Sequence, residues 1–406
     1  MTAFDRLLRY VTVHTASSED ADHTPSTERQ FDLARLLERE MKDMGLSDVF
    51  VDEHCYVYGK LPATPGLEGK PCVGFIAHMD TIPDFPGADV KPQIVENYDG
   101  GDLPLGDSGR VLSPRDFPHL RRLTGRTLMV TDGTTLLGAD DKAGIAEILT
   151  LTERLLAEGT PHGPLAVCFC PDEEIGHGAS ALDLERFGAA FAYTLDGSEE
   201  GEIAFENFNA CAADFQIRGF SVHPGSSKDT MINAGLVAME INGMLPAGET
   251  PRDTEGYEGF FHLTEFRGDV SAARLSYIIR DHDAGSFAAR KNTLRHIAAL
   301  LNAKYGDGTV TLTLKDQYRN MAEIIREHYH VVELALAATR DAGLEPLVSP
   351  IRGGTDGAQL TYRGLPCPNL GTGGFAFHGP FEHASKEGMD KCVDVLCHLV
   401  RRVAEL

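Results

Sequence analysis

Apolar runs that stop on an acid or a histidine constrain this chain more than any other feature. They occur at HMDT (78–81), GADDKAG (138–144), PDEEIG (171–176), TLDG (194–197), VHPG (222–225), RGGTDG (352–357) and FHG (377–379). The metal-type residues lie at or near the ends of β-branched or aromatic runs, with turn residues beside them. Proteins that alternate strand and helix gather their chemistry at the carboxyl ends of strands. Carboxylate oxygens and imidazoles converging there describe a hydrolytic metal site.

The spacing of Phe31, Ala34, Leu37, Met41 and Met44 predicts a helix over 26–44. Ile145, Ile148, Leu149, Thr152, Leu155 and Leu156 predict another over 142–158. The apolar runs 72–77, 165–170 and 191–195 read as strands leading into His78, PDEE and Asp196. Residues 84–123, rich in Pro, Gly and Asp, leave the core as an excursion. The alternation implies an α/β sheet. The pattern changes near Phe208. Strand-like pieces at 211–218, 273–280 and 309–315 and helix-like pieces at 232–244 and 286–305 lack acid tips. They mark an inserted α+β domain over 208–320, between segments 1–207 and 321–406 that form the catalytic domain. Helix resumes over 321–342. A length of 406 residues is more than one hydrophobic core ordinarily supports, which fits two domains.

The formal charge of −24 argues against nucleic acid, which asks for a basic face, and against a polybasic membrane anchor. No segment is apolar and long enough to span a bilayer. The first residues show no signal-peptide core. The eight cysteines form no CxxC pair, and Cys168 and Cys170 share one strand face, where they do not easily bridge. Reduced, buried cysteines fit a cytoplasmic protein.

A lone histidine or aspartate in a loop is ordinarily a solvated polar group. Five such residues at strand ends, beside turn glycines, are harder to dismiss: His78, Asp140, Glu174, Asp196 and His378. A pair of ions needs about four ligands each, and a bridging carboxylate serves both. Asp140 is the natural bridge, with His78 and Asp196 completing one site and Glu174 and His378 the other. Asp80, two residues after His78, can accept the imidazole's other N–H and fix its tautomer. In PDEE, adjacent residues of an extended segment point to opposite sides. One of Glu173 and Glu174 then binds metal while the other takes a proton from water. Asp141 suits a helix cap better than a ligand.

The motifs IAHMDT, TDGTTLLGADDKAGIAE, PDEEIGHGA, TLDG, FENFNA, SVHPGSSKDTMINA, PIRGGTDGAQL and LPCPNLGTGG resemble, in order and over nearly the whole chain, the tripeptide aminopeptidases of the aminoacylase and glutamate-carboxypeptidase superfamily. The resemblance implies a dizinc exopeptidase-like domain with a central mixed sheet, interrupted by a lid or dimerisation-type domain compatible with a homodimer. It implies two zinc ions held by His78, Asp140, Glu174, Asp196 and His378, with Glu173 as general base and Asp80 as imidazole orienter. His223 would stabilise the oxyanion. Arg280 would take the peptide's terminal carboxylate, with Asn233 and Arg352 as further substrate contacts. The chain departs from relatives at Ala376, where they commonly have Asn, at His383, where they often have an aromatic residue, and in the acidic loop DGSEEGE after Asp196.

The expected activity is metal-dependent release of the N-terminal residue from short peptides, tripeptides above all. A carboxypeptidase or N-acyl amino acid deacylase on the same fold would show the same metal motifs. A two-metal phosphoesterase would need no arginine aimed at a carboxylate. A metal-dependent peptide-binding protein without activity would need no Glu173.

Overall fold

A computed structural model describes all residues, 1–406. The chain divides into two compact units. The first comprises Met1–Phe205, Glu323–Ser349 and Thr355–Leu406; the second comprises Glu206–Ala322 and Pro350–Gly354.

The first unit is built on an eight-stranded mixed sheet. Its order is Ser47–Val51, Val57–Leu61, Leu165–Cys170, Val73–His78, Phe191–Gly197, Asn369–Gly371, Glu202–Ala204 and Leu347–Val348. Val73–His78 runs parallel to both neighbours, Leu165–Cys170 and Phe191–Gly197. Every residue of Val73–His78 and of Leu165–Cys170 is buried, as expected of parallel strands covered on both faces. One face, with Ile76, Ala166, Cys168, Cys170 and Ala192, packs against Ala179, Leu182, Phe187, Leu360 and Leu365. The helix Ala139–Glu158 lies against Val73–His78 and Phe191–Gly197, and itself packs on the helices Ala3–Tyr10 and Lys386–Glu405.

Gly144 is the point where helix and sheet come closest. A Cβ there would collide with the Leu195 carbonyl oxygen, so only glycine lets the start of the helix lie beside the strand that bears Asp196. The 84–123 excursion is ordered, its Tyr98, Leu105, Leu112, Leu120 and Leu123 packing with Leu128, Val130 and Phe375 in one hydrophobic cluster.

The second unit is a four-stranded antiparallel sheet, ordered Phe260–Gly268, Ala272–Asp281, Asn209–Arg218 and Val310–Tyr318. Ala273, Leu275, Tyr277 and Ile279 alternate inward along one strand, the period of a sheet with one covered face. Helices Ala234–Gly243 and Ala284–Tyr305 contribute Val237, Ile241, Leu294, Ile297 and Leu301 to that core.

Two local expectations change, and one strand has no reading from the sequence. The helix expected over 26–44 begins at Gln30, because Ser26 gives its N–H and hydroxyl to Asp172 instead. The helix expected over 321–342 is three pieces, Ala322–Ile325, the 3-10 turn Arg326–His328 and His330–Asp341. The strand Phe260–Gly268 escapes a period-two reading because its register shifts between Leu263 and Glu265. No helix is long and apolar enough to cross a membrane, and all eight cysteines are free thiols.

Candidate active site

Three parallel neighbours deliver acids and a histidine to one end of the sheet. Val73–His78 ends on His78, Leu165–Cys170 runs into PDEE, and Phe191–Gly197 carries Asp196. Asp140 sits where the helix Ala139–Glu158 begins, at a break with non-helical backbone at Asp140 and Asp141. His378 follows the short strand Gly374–Phe375 and holds a left-handed φ of 66°, uncommon for a residue with a Cβ.

Asp140 lies at the centre. Its Oδ1 is 2.9 Å from His78 Nε2, and its Oδ2 is 3.0 Å from His378 Nε2. His378 Nε2 is also 3.1 Å from Glu174 Oε2, and His78 Nε2 is 3.5 Å from Asp196 Oδ1. The structure thus brings together the five candidate ligands around one carboxylate. Donor atoms of His78, Asp140 and Glu174 all fall within 4.8 Å of one another, as do those of His78, Asp141 and Asp196.

The ring of His78 is oriented from behind. Its Nδ1 donates to the backbone carbonyl of Asp80 at 3.1 Å, with Asp80 Oδ1 at 3.4 Å. In the neutral ring this leaves the Nε2 lone pair facing Asp140 and Asp196. The Asp80 carboxylate makes its shorter bonds elsewhere, accepting the Glu173 N–H at 2.9 Å and the Glu174 N–H at 3.2 Å. Asp172 fastens the same turn on its other side. Its buried carboxylate accepts from Ser26 and Gln30, and its own N–H donates to Gln30 Oε1.

The electrostatics show a cluster short of positive charge. Burial pulls the His78 imidazolium down, yet Asp140, Asp196 and Asp80 outweigh it and hold the group well above its ordinary range. Asp140 and Glu174 raise His378 to about 11. Burial opposes ionisation of Asp140, but His378 and His78 bring its carboxyl below the usual range. Burial pushes Glu173 well up, and Asp196 adds to it. Burial also lifts Glu174 to about 8 and Asp196 to about 6. Imidazoles and carboxylates that compete for protons in a buried space are the donor set that divalent cations satisfy. The residues therefore fit a metal centre built from nitrogen and oxygen donors, without thiolate.

The remaining expected residues belong to the second unit. His223 is exposed, and its Nδ1 accepts the Gly225 N–H at 3.1 Å. In the neutral ring the proton is then on Nε2, which is left as a donor. Arg280 donates to the Ile279 carbonyl at 3.0 Å and lies over the Tyr318 ring at 5.2 Å. The Asn233 side-chain carbonyl caps the helix Ala234–Gly243 by accepting the Leu236 N–H. Arg352 gives Nη1 to the carbonyls of Gly256 and Glu258, and Nη2 to the carbonyl and hydroxyl of Thr254.

Three more residues at or near the site carry little or no sequence signal for their roles. Asp356, in the RGGTDG motif, is buried and interacts electrostatically with His78, Asp196 and Asp80; burial pushes its carboxyl up to about 8. Its one signal is that it is the acid of the RGGTDG motif. Glu382 has none, because its partners are backbone N–H groups about 240 residues earlier. His383 is buried beside Phe375 and His119, with ring centroids 5.4 and 5.1 Å away, its Nδ1 on the Phe381 carbonyl and its Nε2 3.0 Å from His119 Nε2. In the acidic loop after Asp196, Glu199 pairs with Arg122 and Glu200 with Arg126.

The model of peptidase family M20/M25/M40 matches residues 132–402. The chain is 50% identical over 398 residues to a protein named Peptidase T from Alkaliphilus oremlandii, with 97% of each chain covered. It is 52% identical over 403 residues to Peptidase T from Halothermothrix orenii, with 98% of each covered. Its fold matches the crystal structure of aminopeptidase PepT from Bacillus cereus with a TM-score of 0.79, over 99% of this chain and 98% of that one, at 24% identity.

Proposed function

This chain belongs to peptidase family M20/M25/M40, and we propose that it is a metal-dependent aminopeptidase that releases the N-terminal residue from tripeptides. The observation that carries this is Asp140, which offers one carboxylate oxygen to each of two imidazoles in a chain half-identical to peptidases T along its length. We assign two zinc ions to the site, one held by His78, Asp140 and Asp196 and one by Glu174, Asp140 and His378. Nitrogen and oxygen donors without thiolate suit zinc. When bound, such ions polarise a scissile carbonyl and bring the pKa of water toward neutrality.

The chain's own residues supply the rest. Glu173 accepts a proton from the attacking water and returns it to the leaving amine as the peptide C–N bond breaks. Its backbone is fixed for this by Asp80, and the neighbouring Glu174 faces His378. His223, with Nε2–H as its donor, is assigned to the oxyanion. Arg280 is assigned to the substrate's terminal carboxylate. The free cysteines support a cytoplasmic enzyme.

The test is a panel of di-, tri- and tetrapeptides, free and blocked at each end, with the purified protein before and after chelation. Tripeptides with a free amine should be cleaved fastest, and only with metal present. Rapid hydrolysis of N-acetylated substrates would make the protein a deacylase. Undiminished activity of metal-free protein would end the metallopeptidase assignment.

A further inference from the structure

The helix that carries Asp140 starts without a cap of its own. The first turn of a helix leaves N–H groups with no partner inside the helix, and the residue at the cap position, Gly138, has no side chain to offer. The partner comes from far along the chain. Glu382 is 1% exposed, and its carboxylate accepts three backbone N–H groups: Leu137 at 2.7 Å and Gly138 at 2.8 Å on Oε2, and Asp140 at 3.0 Å on Oε1. Burial pushes the Glu382 carboxyl up to about 7, against the pull of these N–H groups.

Glu382 lies four residues after His378, and the turn between them is closed by the Glu382 N–H donating to the Gly379 carbonyl. The segment that presents one imidazole to the Asp140 side chain thus also grips the Asp140 backbone. Asp141 does the same for the other imidazole. Its carboxylate accepts the His78 N–H at 3.1 Å and the Gly144 N–H at 3.2 Å. Asp140 is therefore fastened on two sides, through Asp141 to the strand that ends at His78 and through Glu382 to the loop that bears His378.

We infer that Glu382 is a positioning residue for metal binding, which holds the Asp140 backbone against the His378 loop and so sets the affinity of the site shared by Asp140, Glu174 and His378. The inference rests on the metal assignment above. A ligand's negative charge is not enough for tight binding, because the ion also needs the ligand atoms held at fixed separations. The Asp140 side chain meets the His378 loop only through the imidazole; the Glu382 carboxylate ties the Asp140 backbone itself to that loop.

The experiment measures zinc affinity of the full-length apoprotein by competition with a chromophoric chelator. Wild type is compared with Glu382→Gln, which keeps shape but loses one acceptor oxygen, and with Glu382→Asp, which keeps charge but falls short of the N–H groups. Wild type should take up two zinc ions. In Glu382→Gln one of the two affinities should fall by about 10–100-fold, the usual cost of removing a group that orients ligands, and the other by no more than about threefold. Excess zinc should then restore much of the lost kcat, which it would not do for a lost catalytic group. Thermal unfolding of the apoproteins separates a folding role: a lower Tm with both zinc affinities unchanged overturns the inference, and so does equal weakening of both sites. Should Glu382→Gln not fold, Glu382→Asp carries the same comparison. A wild-type chain that fails to bind two ions would refute the metal assignment instead.

Discussion

Asp80 Oδ1 accepts the backbone N–H of Glu173 at 2.9 Å. One acid therefore stands behind the His78 ring and also anchors the first glutamate of the pair. Asp80→Asn replaces one of the two acceptor oxygens with an N–H₂ that opposes the Glu173 or Glu174 N–H. Zinc affinity should fall by about 10–100-fold, and kcat should fall further than zinc occupancy accounts for. Metal titration alongside kinetics at saturating zinc checks this. Full recovery of kcat at saturating zinc would limit Asp80 to orienting the imidazole.

Glu173→Gln keeps the side chain's shape and removes its proton acceptor. Loss of a general base costs about 10²–10⁴-fold in rate. The variant should lose kcat by that factor and retain both ions. Loss of an ion from Glu173→Gln, together with retention in Glu174→Gln, would exchange the roles of the two glutamates.

Much of the candidate site is legible in the sequence because several candidate ligands sit at strand ends, and a strand end is visible as an apolar run meeting an acid or a histidine. His78 and Asp196 are of this kind. The second layer is not visible in this way. Glu382 and Asp172 act on backbone N–H groups and on residues brought close only by folding, and a backbone partner leaves no mark in the sequence. Asp80 was legible as a neighbour of His78 two residues away. Its bonds to the Glu173 and Glu174 amides were not, since they cross between adjacent strand ends. Among the elements, the period-two signal of Ala272–Asp281 is clear because one face is covered, whereas the register shift in Phe260–Gly268 breaks it.

Metal removal should loosen the fold as well as stop catalysis. Without cations, Asp140 repels both Glu174 and Asp196 in a buried space. A ligand at about 100 times its Kd contributes about 2.7 kcal/mol of stability. Chelated protein should unfold at lower temperature, and zinc should restore the Tm in a concentration-dependent way. Calorimetry with and without chelator measures this, and an unchanged Tm would mean that the cluster binds no ion tightly.

Arg352 distinguishes a structural role from a substrate role. Its two terminal nitrogens are both engaged with 254–258. Arg352→Ala leaves those carbonyls without their charged donor and should lower stability by about 1–3 kcal/mol. KM should stay near the wild-type value. A large rise in KM at unchanged stability would place the guanidinium on the substrate.

His383 makes the fold sensitive to acid. Its Nδ1 donates to the Phe381 carbonyl, so its Nε2 is the acceptor facing His119. Burial lowers the His383 imidazolium to about 4, and the Phe381 carbonyl offsets only part of that. The unfolded group titrates near the ordinary value of 6.5. Below that value the unfolded chain binds a proton that the folded chain refuses, so stability falls as pH drops from about 6.5 toward 4. Above it the group is neutral in both states and adds no pH dependence. Each tenfold difference in proton affinity between the two states is worth about 1.36 kcal/mol, so the loss between about pH 7.5 and pH 5 is about 2 kcal/mol. Urea unfolding of the apoprotein at the two pH values should show this loss in wild type. It should be smaller by about that amount in His383→Gln, which keeps hydrogen-bonding groups and cannot titrate. Zinc must be absent from both samples, because ligand protonation at the metal site would add its own acid loss. An equal loss in the two proteins would assign the acid sensitivity to other groups.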